Sequence, residues 1–228
     1  MSTDCTEIEF VTRRAAQKVA PLAIIAPTVS VGVSEHHMKH LGSLTSRWEV
    51  FTEYVFDNVE SLARGGLKKI LIINGHGGNV RPLSSVMDRF RNRLSQADLR
   101  FFSYWDLFPE GFPLTHLETQ VAPGHAQEFE TSALEYIAPE KVHAEMVRNP
   151  EARKATREKG KVLMDFLVDA LADYLRSLAE GKARIIEPIS WVSGEVKRGV
   201  EWHPFVRRGT SLPEESEKTP RLPTETYD

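Results

Sequence analysis

This sequence predicts a three-layer α/β fold, in which a parallel or mixed central sheet lies between helices. Apolar residues at helical spacing alternate along the chain with short continuous apolar runs, an order typical of a sheet that carries helices on both faces. The clearest run is ILII at residues 70–73, whose branched side chains indicate a strand buried on both faces. Two further strands are predicted at residues 22–26 and 100–104.

Helices are predicted between and after these strands. The spacing of apolar side chains indicates helices at residues 7–19, 46–65, 80–94, 125–137 and 153–179. Ser46 and Glu49 have the spacing of a capping box at the start of the second of these helices. We therefore predict an α/β domain at residues 1–180 and a C-terminal extension at residues 181–228. The extension could contain a strand at residues 184–192, but its polar, proline-rich end is expected to be partly disordered.

Composition and charge argue against several classes of protein. The 228 residues carry a formal net charge of −3, so no nucleic-acid-binding surface is implied. No apolar run approaches the length of a membrane span, and residues 1–20 lack the hydrophobic block of a signal peptide. Cys5 is the single cysteine, which excludes an intrachain disulfide and suits a reducing compartment. We expect a cytoplasmic protein with neither a nucleic-acid nor a membrane partner.

The loop after the central strand is the first candidate functional site. Residues 74–79 read NGHGGN, and their three glycines let the backbone turn sharply and approach a ligand closely. Ligands of open α/β sheets bind beyond the carboxyl ends of parallel strands, and His76 follows such an end. His76 is therefore a candidate metal ligand or proton carrier. The alternative is a glycine-rich turn whose histidine has no chemical role.

A second candidate motif, GHAQEFETS, occupies residues 124–132. His125 and Glu128 are three residues apart, so they would share one face if the helix already includes His125. A histidine and a carboxylate on one face suit a zinc or manganese site, or an acid–base pair. The alternative is a solvated first turn, in which glutamate side chains interact favourably with the helix dipole.

Together these motifs resemble the creatininase family of metal-dependent amidohydrolases. The matching segments are NGHGGN at 74–79, SYWDL at 103–107, PEGF at 109–112, HAQEFETS at 125–132 and ATREKG at 155–160. The loop GVSEHHMKHLGS at residues 32–43 is similar to a degenerate form of a loop in that family. The resemblance extends over residues 3–175. It implies the three-layer α/β fold and a homo-oligomer, commonly a hexamer.

The resemblance also implies a site that binds two divalent metal ions, zinc or manganese, with iron as a further candidate. Asp4, preceded by Thr3 in a T-D pair, would be the bridging carboxylate. His76 and Glu128 would supply further metal ligands, and His125 would be the catalytic proton carrier. The residues that would contact a small amide substrate are Trp105, His37 and Gly77.

One part of the family pattern is missing. In the family an E-x-H motif and an opening strand stand before the T-D pair, whereas only Met1 and Ser2 precede Thr3 here. Residues 35–37, EHH, have the E-x-H form but lie too close to residues 74–79, and their segment matches the later loop better. Two explanations compete: the true start codon lies upstream, or the chain is a fragment or divergent paralogue that cannot build the complete site.

The expected function is hydrolysis of a non-peptide C–N bond in a small cyclic or linear amide. A bound divalent metal would lower the pKa of water and so supply a nucleophile near neutral pH, and His125 would protonate the leaving nitrogen. The alternative is a catalytically impaired or inactive paralogue that acts as a binding or assembly subunit. A further alternative is an α/β domain whose histidines only form hydrogen bonds within loops.

Overall fold

The computed structural model describes residues 3–119 and 123–188. The helices and strands within these residues are α1 (Thr3–Val19), α2 (Trp48–Arg64), β1 (Lys69–Asn74), α3 (Val80–Arg93), β2 (Asp98–Ser103), α4 (Glu128–Ile137) and α5 (Arg157–Ala179). Short 3-10 turns lie between them, and the turns Glu35–His37 and Gly77–Asn79 contribute to the candidate site. None of the described helices combines the length and the apolar character that a membrane span requires.

The two strands form a parallel sheet with helices on both faces. Ile70 pairs with Leu99 and Ile73 with Phe102, and α3 makes the crossover between the strands. Ile70, Leu99 and Phe101 belong to a core that includes α2 and α3. Successive strand residues point to opposite faces, so Ile73 and Phe102 pack instead into a second core with α1, α4 and α5. The predicted α/β class is confirmed.

The prediction of a buried strand at residues 22–26 is wrong. Residues 23–34, which we call the extended segment, have no regular secondary structure. They lead into the turn Glu35–His37. Leu22 and Ile24 are 60% and 74% exposed, so their apolar side chains do not fill a core. A short apolar run indicates a strand only where a neighbouring strand accepts it, and among the described residues β1 pairs with β2 alone.

A cavity of about 1250 Å³ is lined both by the extended residues 22–30 and by β1. Its apolar part also involves side chains of α2 and α5, including Val55 and Leu175. Its polar part lies where β1 ends and the NGHGGN loop begins, and includes Asp4 and His76. The cavity thus runs along β1 and reaches the carboxyl end of the sheet, where the sequence predicted a ligand.

The ends of two helices differ from the sequence-based expectation. The cap of α2 is Arg47, without a side-chain hydrogen bond, so the capping box predicted for Ser46 and Glu49 is wrong. Helix α5 ends at Ala179, next to the predicted domain boundary at residue 180. Of the predicted strand at residues 184–192, the described part, residues 184–188, is not a strand. Residues 189–228, and with them most of the predicted extension, lie outside the described residues.

Candidate metal centre

Two asparagines hold the NGHGGN loop in place. The side chain of Asn74 accepts a hydrogen bond from the backbone nitrogen of His76 (3.1 Å) and donates one to its carbonyl (2.8 Å). The same side chain donates to Ser103 Oγ at the end of β2 (2.9 Å). Asn79 Oδ1 accepts from the backbone nitrogen of Val33 (2.9 Å), which ties the loop to the extended segment. These bonds fix the backbone of His76 without requiring a ligand.

The glycines of the loop allow close approach of other parts of the chain. A Cβ atom at Gly75 would lie 3.1 Å from the carbonyl oxygen of Asp4, and one at Gly78 would lie 2.0 Å from that of Val33. A side chain at Gly78 would therefore force the extended segment away. The absence of these side chains lets the first turn of α1 pack directly against the loop that carries His76.

Asp4 and His76 are in direct contact at the polar end of the cavity. Asp4 Oδ2 lies 2.7 Å from His76 Nδ1. The other ring nitrogen, Nε2, lies 3.1 Å from the carbonyl oxygen of Val33 and 3.4 Å from Ser34 Oγ. Residues 72 positions apart in the sequence thus meet, as the sequence-based hypothesis requires. A carboxylate beside an imidazole is a common arrangement in and around metal sites, because it fixes the ring and raises its basicity.

Three further imidazoles surround this pair. His36, His37 and His125 each offer a ligand atom, and these atoms all lie within 4.8 Å of one another; we call them the three-histidine group. The ring of His36 also stacks on that of His76, with centroids 5.8 Å apart. Burial and the neighbouring histidines lower the pKa of His36 to about 3. Burial and neighbouring histidines also lower the pKa values of His37 and His125, so these rings are neutral near pH 7.

The structure does not bring Glu128 to this centre, which corrects the assignment made from sequence. Its buried carboxylate accepts hydrogen bonds from the backbone nitrogens of Glu118 (3.1 Å) and Thr119 (2.6 Å). Lys159 Nζ donates a third (2.6 Å). Burial raises the pKa of Glu128, but these hydrogen bonds outweigh it and lower the pKa below its usual value. Both oxygens of Glu128 are engaged, so its role in this fold is structural.

Glu130 is the carboxylate that this part of the chain directs toward the cavity. It lines the cavity together with Asp4, His76 and His125, and its Oε2 accepts a hydrogen bond from the backbone nitrogen of Ala126. Burial and the charge of Asp4 hold the pKa of Glu130 well above its usual value. The spacing of the motif did not indicate Glu130, because that spacing pairs His125 with Glu128 only if the helix already includes His125. In the structure α4 begins at Glu128, so His125 and Glu128 share no helical face.

A third carboxyl group lies behind the first two. Glu7, on the second turn of α1, is buried, and its Oε2 accepts a hydrogen bond from the hydroxyl of Tyr104 (2.6 Å). Burial and the charge of Glu130, followed by that of Asp4, raise the pKa of Glu7 well above its usual value. Asp4, Glu7 and Glu130 therefore repel one another electrostatically, and a divalent cation nearby would relieve that repulsion.

The remaining predicted site residues line the same cavity. Trp105, His37 and Gly77 all contribute to its wall, and Trp105 is nearly buried, with 2% of its surface exposed. The Asp4 carboxylate contacts the His76 imidazole here and the Glu130 carboxylate lines the same cavity, and donors of these two kinds fit zinc or manganese. The cavity therefore combines a metal-compatible donor set with an aromatic wall, an arrangement suited to binding a small polar molecule.

Known proteins are similar to this chain in sequence and in fold. The family model described as "Creatininase: Creatinine amidohydrolase" matches residues 1–157. A creatinine amidohydrolase of Pseudomonas putida is 25% identical over 221 residues, covering 77% of this chain and 82% of that protein. The structure of a creatinine amidohydrolase-like protein from Bacteroides fragilis superposes with a TM-score of 0.67 at 21% identity, covering 78% of this chain and 82% of that one.

A mutant creatininase complexed with creatine superposes with a TM-score of 0.64 at 21% identity, covering 73% of this chain and 80% of that one. At this level of identity the superpositions establish the fold, and the family match, which extends over most of the chain, establishes the relationship. The chain belongs to the creatininase family.

Proposed function

We propose that this protein is a metal-dependent amidohydrolase that hydrolyses a non-peptide C–N bond of a small cyclic or linear amide. The observation that carries the proposal is the contact between Asp4 and His76, 2.7 Å apart, in the cavity of a creatininase-family fold. Related proteins support the chemistry: one is named creatinine amidohydrolase, and another was solved with creatine bound.

The metal ligands that we propose are Asp4, His76 and Glu130, with Glu130 taking the place assigned to Glu128 from sequence. Solved creatininases of Zn–Zn type and with Mn support zinc or manganese as the ion. When bound, a divalent ion polarises a carbonyl group and lowers the pKa of water. Two ions per subunit remain a prediction from the family resemblance.

The protein's own residues orient the substrate and move a proton. Trp105 and Gly77 form part of the wall against which a small amide would lie. His125 is neutral near pH 7, since burial and the charge of His76 lower its pKa. It can therefore accept the proton that the attacking water loses and deliver it to the leaving nitrogen as the C–N bond breaks. His37 lies beside His125, with ring centroids 5.2 Å apart, and would contact the substrate.

Metal analysis and amide hydrolysis test this proposal together. The purified chain should bind zinc or manganese and open the ring of creatinine or hydrolyse another small amide from a panel. His76→Ala should lower the metal content and reduce kcat/KM at least about a hundredfold, since metal and its ligands contribute several kcal/mol to such reactions. Metal-loaded protein that hydrolyses none of the amides would contradict the proposal, as would unchanged metal content in His76→Ala.

A second candidate function is that of a binding or assembly subunit without catalysis. One observation favours it: an apolar segment that includes Leu22, Ile24 and Ile25 is exposed beside a cavity that also borders β1. A sheet edge with apolar surroundings is a common site for pairing with another chain. The predicted homo-oligomer and the predicted cytoplasmic location remain predictions.

A further inference from the structure

The proposed reaction does not require all three members of the three-histidine group. The proposed metal ligands are Asp4, His76 and Glu130, and of the three histidines only His125 has a chemical step. Yet His36, His37 and His125 come from two separate loops and place their ligand atoms within 4.8 Å of one another. The rings of His36 and His37 have centroids 4.0 Å apart, and that of His125 lies 5.9 Å from His36. Such convergence of neutral imidazoles requires an explanation.

The loop that carries two of these histidines is anchored to the rest of the fold at its base. The backbone nitrogen of Ser46 donates to the carbonyl of Gly32 (2.9 Å), and that of Ser34 donates to Thr45 Oγ1 (2.9 Å). Within the loop, the backbone nitrogen of His37 donates to the carbonyl of Ser34 (2.9 Å). The base of the loop is therefore fixed, so His36 and His37 face His125 as part of the fold.

The spacing of the ligand atoms is close to that of a metal site. Zinc bound by three imidazoles at roughly 2.0–2.1 Å requires nitrogen atoms about 3.3 Å apart in a tetrahedral arrangement. The ligand atoms here lie within 4.8 Å, so a contraction of about 1.5 Å completes the site. Neither His37, on a short 3-10 turn, nor His125, on the loop before α4, is held in a long helix, and side-chain rotation can supply this movement.

The chemistry of the ligands distinguishes this group from the pair formed by Asp4 and His76. Its three members are uncharged imidazoles, a set that suits zinc and disfavours manganese, magnesium and calcium, which prefer carboxylate and other oxygen ligands. The proposed ligands Asp4, His76 and Glu130 include two carboxylates and can hold zinc or manganese. The two sites should therefore differ in metal preference as well as in position.

We propose that His36, His37 and His125 form a separate zinc site, which withdraws His125 from proton transfer when it is occupied. An imidazole nitrogen that donates its electron pair to zinc cannot at the same time accept a proton. Zinc in this site would therefore inhibit hydrolysis while the ion bound by Asp4 and His76 remains in place. The zinc site itself does not depend on the proposed function, whereas the inhibition rests on it.

Metal titration of the full-length chain tests the site without using activity. The test variant is His36→Ala, because His36 belongs to the group but has no role in the proposed reaction. His40→Ala is the matched control: His40 lies on the same loop and is exposed, and it does not belong to the group. Protein freed of metal by a chelator is titrated with Zn²⁺ and, separately, with Co²⁺, whose visible absorption reports tetrahedral coordination by nitrogen.

The wild-type chain and His40→Ala should bind one more zinc ion than His36→Ala, and His36→Ala should lack the cobalt absorption of the three-histidine site. His76→Ala should retain that absorption. Equal zinc stoichiometry in wild type and His36→Ala overturns the proposed site. If His36→Ala fails to fold, as judged by circular dichroism, His125→Ala is titrated instead with the same expected loss of one ion.

The inhibition is tested on manganese-loaded protein with an amide that it hydrolyses. Added Zn²⁺ should lower the rate of wild type and His40→Ala at least about tenfold, while His36→Ala should require at least about tenfold more zinc for the same effect. Equal zinc sensitivity of wild type and His36→Ala overturns the inhibitory role. A protein that binds the extra zinc but hydrolyses no amide would contradict the proposed function and leave the zinc site supported by the titration.

Discussion

Glu128 and Glu130 lie two residues apart on the first turn of α4, and the fold uses them in opposite ways. Glu128 is buried with full hydrogen bonding, from Lys159 and from the backbone nitrogens of Glu118 and Thr119. Its pKa is lowered, so its charged form is favoured. Glu130 faces the cavity, and its pKa is raised by burial and by the charge of Asp4. Glu128 already has a cationic partner in Lys159, whereas no ion pair of Glu130 is found among the described residues.

This contrast indicates which of the two carboxylates would bind a metal more favourably. A carboxylate with a cation and backbone donors on both oxygens would have to lose those partners before it could bind a metal. A carboxylate that is destabilised by burial and by a neighbouring charge gains most from an added cation. An acid with a raised pKa beside histidines in a cavity is therefore a better candidate for a metal ligand than an acid of the same motif whose oxygens already have hydrogen-bond partners.

The largest expected effect in this comparison is the loss of stability on breaking the Glu128 network. Glu128→Gln should lower the free energy of unfolding by about 3 kcal/mol, because it leaves the Lys159 ammonium beside Glu128 without its buried partner. Denaturant unfolding monitored by circular dichroism measures the change, and metal content should stay unchanged in the folded variant.

Glu118→Gln is the matched control for that experiment, since Glu118 also bonds to Lys159 Nζ (2.8 Å) but its side chain is 60% exposed. An exposed ion pair contributes about 0–1 kcal/mol, so this variant should be close to wild type. Equal destabilisation by the two substitutions would contradict the structural role assigned to Glu128.

A smaller effect is expected at Glu130, and it should appear in metal binding. Glu130→Gln should weaken zinc or manganese binding about 10- to 100-fold, or about 1.4–2.8 kcal/mol, because a carboxylate ligand becomes a neutral amide. Without metal, the variant should be at least as stable as wild type, because repulsion with Asp4 is removed. Isothermal titration and chelator competition measure the affinity, with Glu128→Gln as the comparison. Unaltered affinity would exclude Glu130 as a ligand.

The last prediction concerns Glu7, behind the cavity, and its expected effect over a single pH unit is the smallest of the three. Because its pKa in the folded protein is raised, the folded state holds a proton that the unfolded state releases above pH of about 4.5. The stabilisation that Glu7 contributes is fully present below that pH. It is lost as the pH rises toward the pKa of Glu7 in the folded protein. Metal-free wild type should lose up to about 1.4 kcal/mol per pH unit in this window, and Glu7→Gln should lose less.

Unfolding curves between pH 5 and 8 measure the slope for Glu7. Glu9→Gln, on the same helix with a side chain that is 40% exposed, is the control and should follow wild type. Parallel curves for wild type and Glu7→Gln would show that Glu7 is not protonated in the folded protein.

Local patterns in the chain were sufficient to predict the two strands of the described sheet and the loop that carries His76, whereas the roles of the site residues stay predictions. The ILII run, the NGHGGN loop and the amphipathic helix that became α5 each depend on neighbours within a few residues, so periodicity and turn chemistry reveal them. The motifs also identified the family, and Asp4 and His76 meet at 2.7 Å as that reading requires.

Structural features that depend on residues far apart in the sequence could not be predicted from local patterns. Residues 22–26 have the composition of a strand, but a strand also needs a partner, and the described part of the chain supplies none beside them. The three histidines meet because the folded loops cross, since His36 and His125 are separated by 89 positions. Whether an acid of α4 faces Lys159 or the cavity depends on where the helix begins and on α5, which packs against it. Composition and periodicity describe the local environment of a residue, whereas the direction of a side chain is set by partners far away in the chain.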